Sequence, residues 1–440
     1  MRLAALCLAL LLPAAASAAD LQQVYRDARA YDAQYAAARF ALLAGLEKLP
    51  QGRALILPSV NLSAGYTETW LDSESKNQSI VPSFQRDFGG KNYNLTLTQP
   101  VYRPQNWLQY SQAEFQVRQA EAVFAQAEQD LALRVAQAYF DVLAAQDTLA
   151  LVRAQKAAIS EQLAQAKRNF EVGTATITDT HEAQARFDLA AAQEIAAQND
   201  VDTRNRALQQ ITGKEYPALQ PLRPDVKLSP PNPNDMQSWV NIAEKGSYPV
   251  QIQEASSAIA ELEARRARAA HMPTVDFVAT HGQGFQSATA TSPIGTDVTT
   301  STLGFQLAVP LYAGGAISSR EREAAANYER SKQDVENARR ASALAARQTF
   351  LAVANGIAQI SALDQALVSS QSALDSNRLG YEVGVRINID VLNAQQQLFS
   401  TRRDLALARY NTITNHLRLK SASGTLREED IQEVNRALAP

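Results

Sequence analysis

Residues 170–173 read FEVG and residues 381–384 read YEVG, and in each copy an aspartate follows six residues after the glycine, as Asp179 and Asp390. Two further pairs of segments recur in the same order and at nearly the same offset. They are LPSV at 57–60 with MPTV at 272–275, and QPVY at 99–102 with VPLY at 309–312. Agreement among several anchors predicts that the chain is an internal duplication.

The duplication divides the chain into two repeats with a distinct segment between them. Six prolines fall between Tyr216 and Trp239, a composition typical of a linker or irregular segment and not of a helix. We therefore expect a first repeat over 19–215, a proline-rich segment over 216–239 and a second repeat over 240–440.

Each repeat contains two stretches in which apolar and polar residues alternate. In 60–66 the even positions are apolar, and in 93–97 the odd positions are. Strands are predicted at about 58–70, 91–102, 273–285 and 300–312. A period of two gives one apolar face, a pattern that half-buried sheets of soluble proteins share. The length of about ten residues, the polar loops between the strands and an export signal favour transmembrane strands, with aromatic residues such as Tyr102 and Tyr312 at the membrane interfaces.

Long helices follow the strands in both repeats. From Gln105 to Val172 there is neither glycine nor proline, and Lys156 alone interrupts a heptad of apolar residues. The two tracks of this heptad are Leu131, Ala138, Ala145, Val152, Ile159 and Val135, Val142, Leu149, Leu163, Phe170. A sustained heptad is typical of a coiled-coil seam, and at a rise of 1.5 Å per residue the helix is roughly 100 Å long. The second copy is expected at 318–379, with return helices at 179–211 and 390–423.

The N-terminus has the pattern of a secretory signal peptide. Arg2 precedes an apolar run that ends at Pro13, and small residues follow up to a cleavage site expected after Ala18, so that 1–18 is the signal. The single cysteine, Cys7, lies inside this signal, so the mature chain has no thiol for disulfides or metal binding. Beyond it we expect no apolar stretch of transmembrane-helix length, and a membrane crossing then requires a closed β-barrel.

Four strands are too few for a barrel, because about eight are the practical minimum. The long helices likewise have more apolar surface than one chain can bury. The protein is therefore expected to be a cyclic oligomer. A dimer gives eight strands and a trimer gives twelve, and the residues alone do not decide between them.

The residues that carry a family resemblance span nearly the whole mature chain. They include AYFDVL at 138–143, NFEVG at 169–173 with ITD at 177–179, and YEVG at 381–384 with DVLNA at 390–394. Their order, spacing and duplication resemble the TolC-type outer-membrane efflux proteins.

This resemblance implies an α+β membrane protein: a trimer with a twelve-stranded β-barrel in the outer membrane and a coiled-coil α-barrel in the periplasm. It also implies a periplasmic tip at 170–180 and 381–392 that opens and closes. The expected partners are a periplasmic adaptor, an inner-membrane pump of the RND, ABC or MFS type, and outer-membrane lipid.

The resemblance also implies residues for a latch at the tip. Tyr381 and Arg386 would bind Thr178 and Asp179, and the tip turns would lie at Gly173 and Gly384. An Arg–carboxylate pair is directional and charge-assisted, which suits a latch. Helix capping explains the same residues otherwise, with Thr176 or Asp179 as the N-cap and Asp179 with Glu182 as a capping box.

A pore constriction is implied at Asp390 and Asn393. A ring of aspartates attracts cations, whereas Asn393 stands where the family has a second aspartate, which weakens the expected ring. The alternative for Asp390 is again a helix N-cap.

Together these features predict a passive export channel in the outer membrane, carrying drugs or secreted proteins. A periplasmic adaptor is the first alternative, but the strands and the duplication argue against it. An exported enzyme is the second, yet no catalytic constellation is visible, and the four histidines show no metal-ligand spacing. No cofactor and no metal is expected, and a formal net charge of −3 argues against a nucleic-acid partner.

Overall fold

The computed structural model describes residues 18–76, 83–224, 226–287 and 294–439. The expected signal peptide lies outside the described residues except for Ala18, and so does Cys7. In the first repeat the described elements are α1 Leu21–Tyr31, α2 Ala33–Leu46, α3 Lys48–Ala54, β1 Ser59–Ser73, β2 Phe84–Tyr102, α4 Pro104–Glu171 and α5 Ile177–Thr212. In the second they are α6 Met236–Gly246, α7 Tyr248–Ala269, β3 Thr274–Gln286, β4 Thr296–Ala308, α8 Ala316–Glu382, α9 Asn388–Ala422 and α10 Glu428–Arg436.

The four described strands form one antiparallel sheet in the order β1-β2-β3-β4. Its register places apolar residues opposite one another, as in Leu62 with Leu95 and Phe277 with Phe305. Directly opposed residues share a face, so one side of the sheet is apolar. Within the chain that side is uncovered: the exposed fraction is 78% for Leu303 and 73% for Phe305.

Several strand boundaries differ from those expected. β1 continues to Ser73 and β2 already begins at Phe84, so the first hairpin is longer than the alternating segments indicate. β4 ends at Ala308 and not near 312. Pro310 has no N–H to give to a ladder, and Tyr312 consequently lies beyond the strand and is exposed.

The chain groups into two compact units, each of which draws on both repeats. The first comprises the described parts of Met1–Phe40, Val123–Val250 and Ala338–Pro440, and the second comprises those of Ala41–Ala122 and Gln251–Asn337. The second unit contains the whole sheet.

The core of the first unit confirms most of the heptad of α4, but Phe170, the last residue of one track, is 43% exposed. Leu131, Val135 and Val142 are fully buried, and the ring of Phe140 stacks on Tyr410 of α9 at 5.7 Å between centroids. Lys156, which interrupts the heptad, is compensated by an ion pair of 2.9 Å with Glu194 of α5.

The proline-rich segment is irregular but packed. Leu219 pairs with Ala19 and Leu222 pairs with Leu438, each through an isolated β-bridge. Tyr139 of α4 also donates a hydrogen bond of 2.8 Å to the carbonyl of Gln220. The segment therefore contributes to the core, and it ends at Asp235, which is the N-cap of α6.

One helix contradicts the expectation that no apolar stretch of transmembrane length follows the signal. By length and composition α8 contains an 18-residue window of mean hydropathy 1.3 that suits a membrane span, and 6% of that window is buried in the chain. A single such helix is weak evidence for a span, because a helix that packs against other helices passes the same test.

Candidate functional site

Both long helices end in the same glycine turn. Gly173 and Gly384 have φ of 81° and 80°, the left-handed region that glycine enters without steric penalty. In the first turn the Thr174 N–H donates to the carbonyl of Asn169 at 2.8 Å, and in the second the Val385 N–H donates to Gly380 at 2.9 Å. Each turn is thus a Schellman motif that satisfies the last carbonyls of its helix.

The return helices begin differently. Thr176 is the N-cap of α5 and forms a capping box with Asp179: its hydroxyl accepts from the Asp179 N–H at 3.3 Å, and the Asp179 carboxylate accepts from the Thr176 N–H at 3.1 Å. The capping alternative is therefore present, although the box pairs Asp179 with Thr176 and not with Glu182. In α9 the N-cap is Ile387, which has no capping side chain. Asp390 is consequently not an N-cap. It lies in the first turn of α9, where the helix dipole stabilises a negative charge.

Three of the four residues expected to form a latch, Asp179, Tyr381 and Arg386, bind other partners within the chain. Arg386 pairs with Asp390, with Nη1 3.6 Å from Oδ2. The Tyr381 hydroxyl accepts a hydrogen bond of 3.1 Å from the Asn169 side chain. In the described part of the chain Arg386 and Asp179 do not bond to each other, and Thr178 is exposed at the start of α5. The Tyr381–Asn169 bond nevertheless joins the ends of α8 and α4.

A buried asparagine that the sequence did not single out connects three helices. Asn388, at the start of α9, is 2% exposed. Its side-chain oxygen accepts from Nε2 of Gln162 on α4 at 2.5 Å, and its Nδ2 donates to the backbone carbonyl of Asp179 on α5 at 3.5 Å. One side chain thus bonds to both α4 and α5.

Next to this asparagine, apolar side chains pack on two sides of α9. Leu392 packs with Ile159 and Leu163 of α4 and with small residues of α5. Val391, the neighbouring residue, packs with Leu374 of α8. The start of α9 is therefore held by both long helices.

The second constriction residue, Asn393, is engaged with the first repeat. Its side-chain oxygen accepts from Nη2 of Arg186 at 3.0 Å, and Gln396 accepts from the other terminal nitrogen of the same guanidinium. Arg186 thereby joins α5 to α9 on an exposed surface. The sequence gives no signal for this contact, because Arg186 lies in the first repeat and both of its partners lie in the second.

Among the described residues no group of three or more His, Cys, Asp or Glu side chains is arranged to hold a metal ion. The site is therefore built from hydrogen bonds, one ion pair and apolar packing. Contacts of this kind can hold helices together, and they can be broken to release the helices.

Comparison with known proteins identifies the family. The outer membrane efflux protein family matches residues 24–214 and 239–425, one segment in each repeat. The chain belongs to this family. An outer membrane efflux protein resides in the outer membrane and forms a passive export channel, so the family is not one of enzymes.

Individual relatives agree with this assignment along almost the whole chain. The outer membrane protein TolC of Vibrio cholerae is 32% identical over 428 residues, which cover 97% of this chain and 95% of that protein. The proteases secretion protein PrtF of Dickeya chrysanthemi is 31% identical over 424 residues, covering 95% of this chain and 91% of that protein. The solved structure of the outer membrane protein VceC of Vibrio cholerae has a TM-score of 0.75 at 18% identity and covers 92% of this chain and 96% of that one, which shows the shared fold.

Proposed function

We propose that this efflux protein is one subunit of a trimeric duct through which an inner-membrane pump exports cargo. The observation that carries the proposal is the sheet: among the residues that the structure describes, it has one uncovered apolar face and two unpaired edges, at β1 and β4. Unpaired edges in lipid are costly, because no water satisfies their backbone groups. Three copies joined edge to edge supply twelve strands, enough for a closed barrel.

The second element of the proposal is a gate at the two glycine turns. Thr178, Asp179, Tyr381 and Arg386 are the proposed latch. The Arg386–Asp390 pair is 59% and 33% exposed, and an exposed pair of this kind contributes about 0–1 kcal/mol. A latch strong enough to close a channel therefore needs contacts between copies, for which the exposed Thr178 and the Arg386 guanidinium are available.

The third element is cation preference. Three Asp390 carboxylates near the threefold axis would attract cations. Asn393 adds no charge, and it is engaged with Arg186. We therefore assign the preference to Asp390 alone.

The proposed partners follow from the relatives. PrtF is by its name a protein for protease secretion. We propose that this chain likewise takes part in export, either of proteins or of drugs. A periplasmic adaptor and a pump of the RND, ABC or MFS type would supply the cargo and the energy. Neither a cofactor nor a nucleic acid has a role in the proposal.

Single-channel conductance in planar bilayers tests the proposal. The wild-type oligomer is expected to form a small, cation-preferring pore, and Arg386→Ser is expected to form a wider one. Arg403→Ser is the matched control, since Arg403 pairs, within the described part of the chain, with the adjacent Asp404. A membrane-inserted oligomer without conductance would refute the channel, and recovery of the protein from the soluble periplasm would favour an adaptor. A pore unchanged by Arg386→Ser would keep the channel and remove Arg386 from the gate.

A further inference from the structure

A cavity of about 800 Å³ lies in the second compact unit, where the sheet gives way to helices. It opens between the first turns of α4, the end of α7 and the start of α8. Among its lining residues are four large side chains and two arginines: Tyr102, Trp107, Met272, Tyr328, Arg265 and Arg268.

The sheet register sets the face on which this cavity opens. Tyr102, at the end of β2, pairs with Val275, and Val275 pairs with Leu307 of β4. Opposed residues share a face, so Tyr102 belongs to the uncovered apolar side of the sheet. Its hydroxyl lies 4.0 Å from the sulfur of Met272, which precedes β3. The cavity thus continues the apolar face beyond the strand ends.

The strand ends next to the cavity are those of β2 and β3. β2 and β3 are the inner strands of the sheet, and copies that join through β1 and β4 leave them uncovered. Because these strand ends lead into the long helices, they lie on the periplasmic side of the proposed barrel. The lipid at that level is the headgroup region of the periplasmic leaflet.

The charges around the cavity come in opposite pairs. Arg265 pairs with Glu261 at 2.5 Å, and Arg268 pairs with Glu321 at 2.9 Å. The hydrogen bond from Arg268 lowers the pKa of Glu321, which keeps this carboxylate charged. An anionic headgroup would meet the two glutamates as well as the arginines, so the charge pattern does not favour it.

A headgroup that carries both signs matches this pattern. Its phosphate accepts hydrogen bonds from guanidinium groups. A primary ammonium donates to carboxylates and is attracted to the faces of Trp and Tyr rings. Trp107 is 57% exposed and provides such a face.

We propose that this cavity binds the phosphoethanolamine headgroup of a phospholipid in the periplasmic leaflet, with Arg265 and Arg268 on the phosphate and the glutamates and Trp107 on the ammonium. The inference rests on the proposed barrel, because the barrel places the cavity at the membrane surface. Bound lipid would hold the sheet-to-helix junction at a fixed depth in the membrane.

Native mass spectrometry of the full-length oligomer tests the binding. The oligomer is exchanged into detergent with equal amounts of phosphatidylethanolamine, phosphatidylcholine and phosphatidylglycerol. The wild type is expected to retain phosphatidylethanolamine in preference to both others. Arg265→Gln/Arg268→Gln is expected to reduce that retention by at least about tenfold, the factor that corresponds to the loss of a single charge-assisted hydrogen bond, since the variant removes two proposed donors.

Two further variants complete the design. Arg330→Gln is the control, since Arg330 is an exposed arginine of α8 in an i,i+4 pair outside the cavity, and its retention is expected to equal that of the wild type. Trp107→Leu keeps both ion pairs and is expected to lower retention, which provides a test if the double variant does not assemble. Equal retention of the three lipids, or equal loss in Arg330→Gln, would overturn the inference.

Conductance of the same samples separates this inference from the proposed function. If the wild type conducts but shows no lipid preference, the headgroup site is wrong and the duct stands. If an inserted wild-type oligomer does not conduct, the duct is wrong.

Discussion

The Arg386 guanidinium lies 3.6 Å from the carboxylate of Asp390, four residues further along the same chain. This distance couples the two proposed roles at the tip, since the candidate latch residue is also the counter-ion of the candidate selectivity residue. A substitution of either residue therefore changes the electrostatic environment of the other.

Asp390→Asn removes the carboxylate and leaves Arg386 without its counter-ion. We expect the ratio of cation to anion permeability to fall, because the charge near the proposed axis changes from paired to positive. Reversal potentials across a salt gradient measure this ratio. Asp200→Asn, which alters an exposed pair with Arg204 on α5, is expected to leave it unchanged. Equal ratios in wild type and Asp390→Asn would exclude Asp390 from the constriction.

Asn388→Ala removes the side chain that joins α9 to α4 and α5. The buried Gln162 amide and the Asp179 carbonyl then lose a partner, at a cost of about 1–3 kcal/mol. We expect a lower thermal midpoint of the helical circular dichroism signal and a larger conductance.

Two companion variants distinguish this effect from a general loss of an amide. Asn377→Ala removes a partly exposed amide that, among the described residues, donates to the Ala373 carbonyl of its own helix, and it is expected to change neither property. Gln162→Leu/Asn388→Leu removes both partners and is expected to recover part of the stability. Identical behaviour of Asn388→Ala and Asn377→Ala would contradict a fastening role.

Gly384→Ala tests the second glycine turn. A Cβ at this position meets no atom within 4 Å, so its cost is that of the left-handed backbone alone, about 1–2 kcal/mol. Gly304→Ala is matched, because its Cβ also has open space but its φ is not positive. We expect hydrogen exchange of the Val385 amide to accelerate about tenfold in Gly384→Ala only. Unchanged exchange would show that the turn does not depend on the glycine.

His416 gives the first unit a pH dependence. Burial, together with Lys420, lowers its pKa from the usual 6.5, while Glu433 and Asp430 of α10 oppose the shift. Below pH 6.5 the unfolded chain binds a proton that the folded chain resists, so folding stability falls as pH decreases, by up to about 1.4 kcal/mol per pH unit.

Thermal midpoints measured at about pH 7.5 and about pH 5.5 test this slope. His416→Gln cannot titrate, so its midpoint is expected to decrease less over that range than the wild-type midpoint. Other titrating groups contribute equally to both proteins. Parallel curves for the two would show that His416 does not contribute.

The sequence predicted the elements whose signal is periodic. Leu131, Val135 and Val142 lie four and seven residues apart and are buried where the heptad indicates. Alternation likewise predicted the sheet, but it located the strand ends poorly. β1 and β2 continue beyond the alternating segments from which they were predicted, whereas Pro310 ends β4 before its apolar residues end.

The contacts of the candidate site were predictable only in part. Thr176 and Asp179 form a local cap, and a local cap has a recognisable spacing. Asn388 bonds to Gln162 across 226 residues of sequence, and no short-range pattern marks an asparagine in a first turn as buried. Contacts of Arg386 with a neighbouring copy also cannot be derived from a single chain, so that part of the site stays a prediction.

The unequal starts of the two return helices have a mechanical consequence. The glycine turns match, but α5 begins with a capping box and α9 begins with Ile387, which caps nothing. A missing cap makes the first turn easier to unwind by about 1 kcal/mol. The start of α5 is therefore stabilised within its own turn, whereas the start of α9 depends on its contacts with α4, α5 and α8, so a pull that separates these helices would unwind α9 first only after those contacts break.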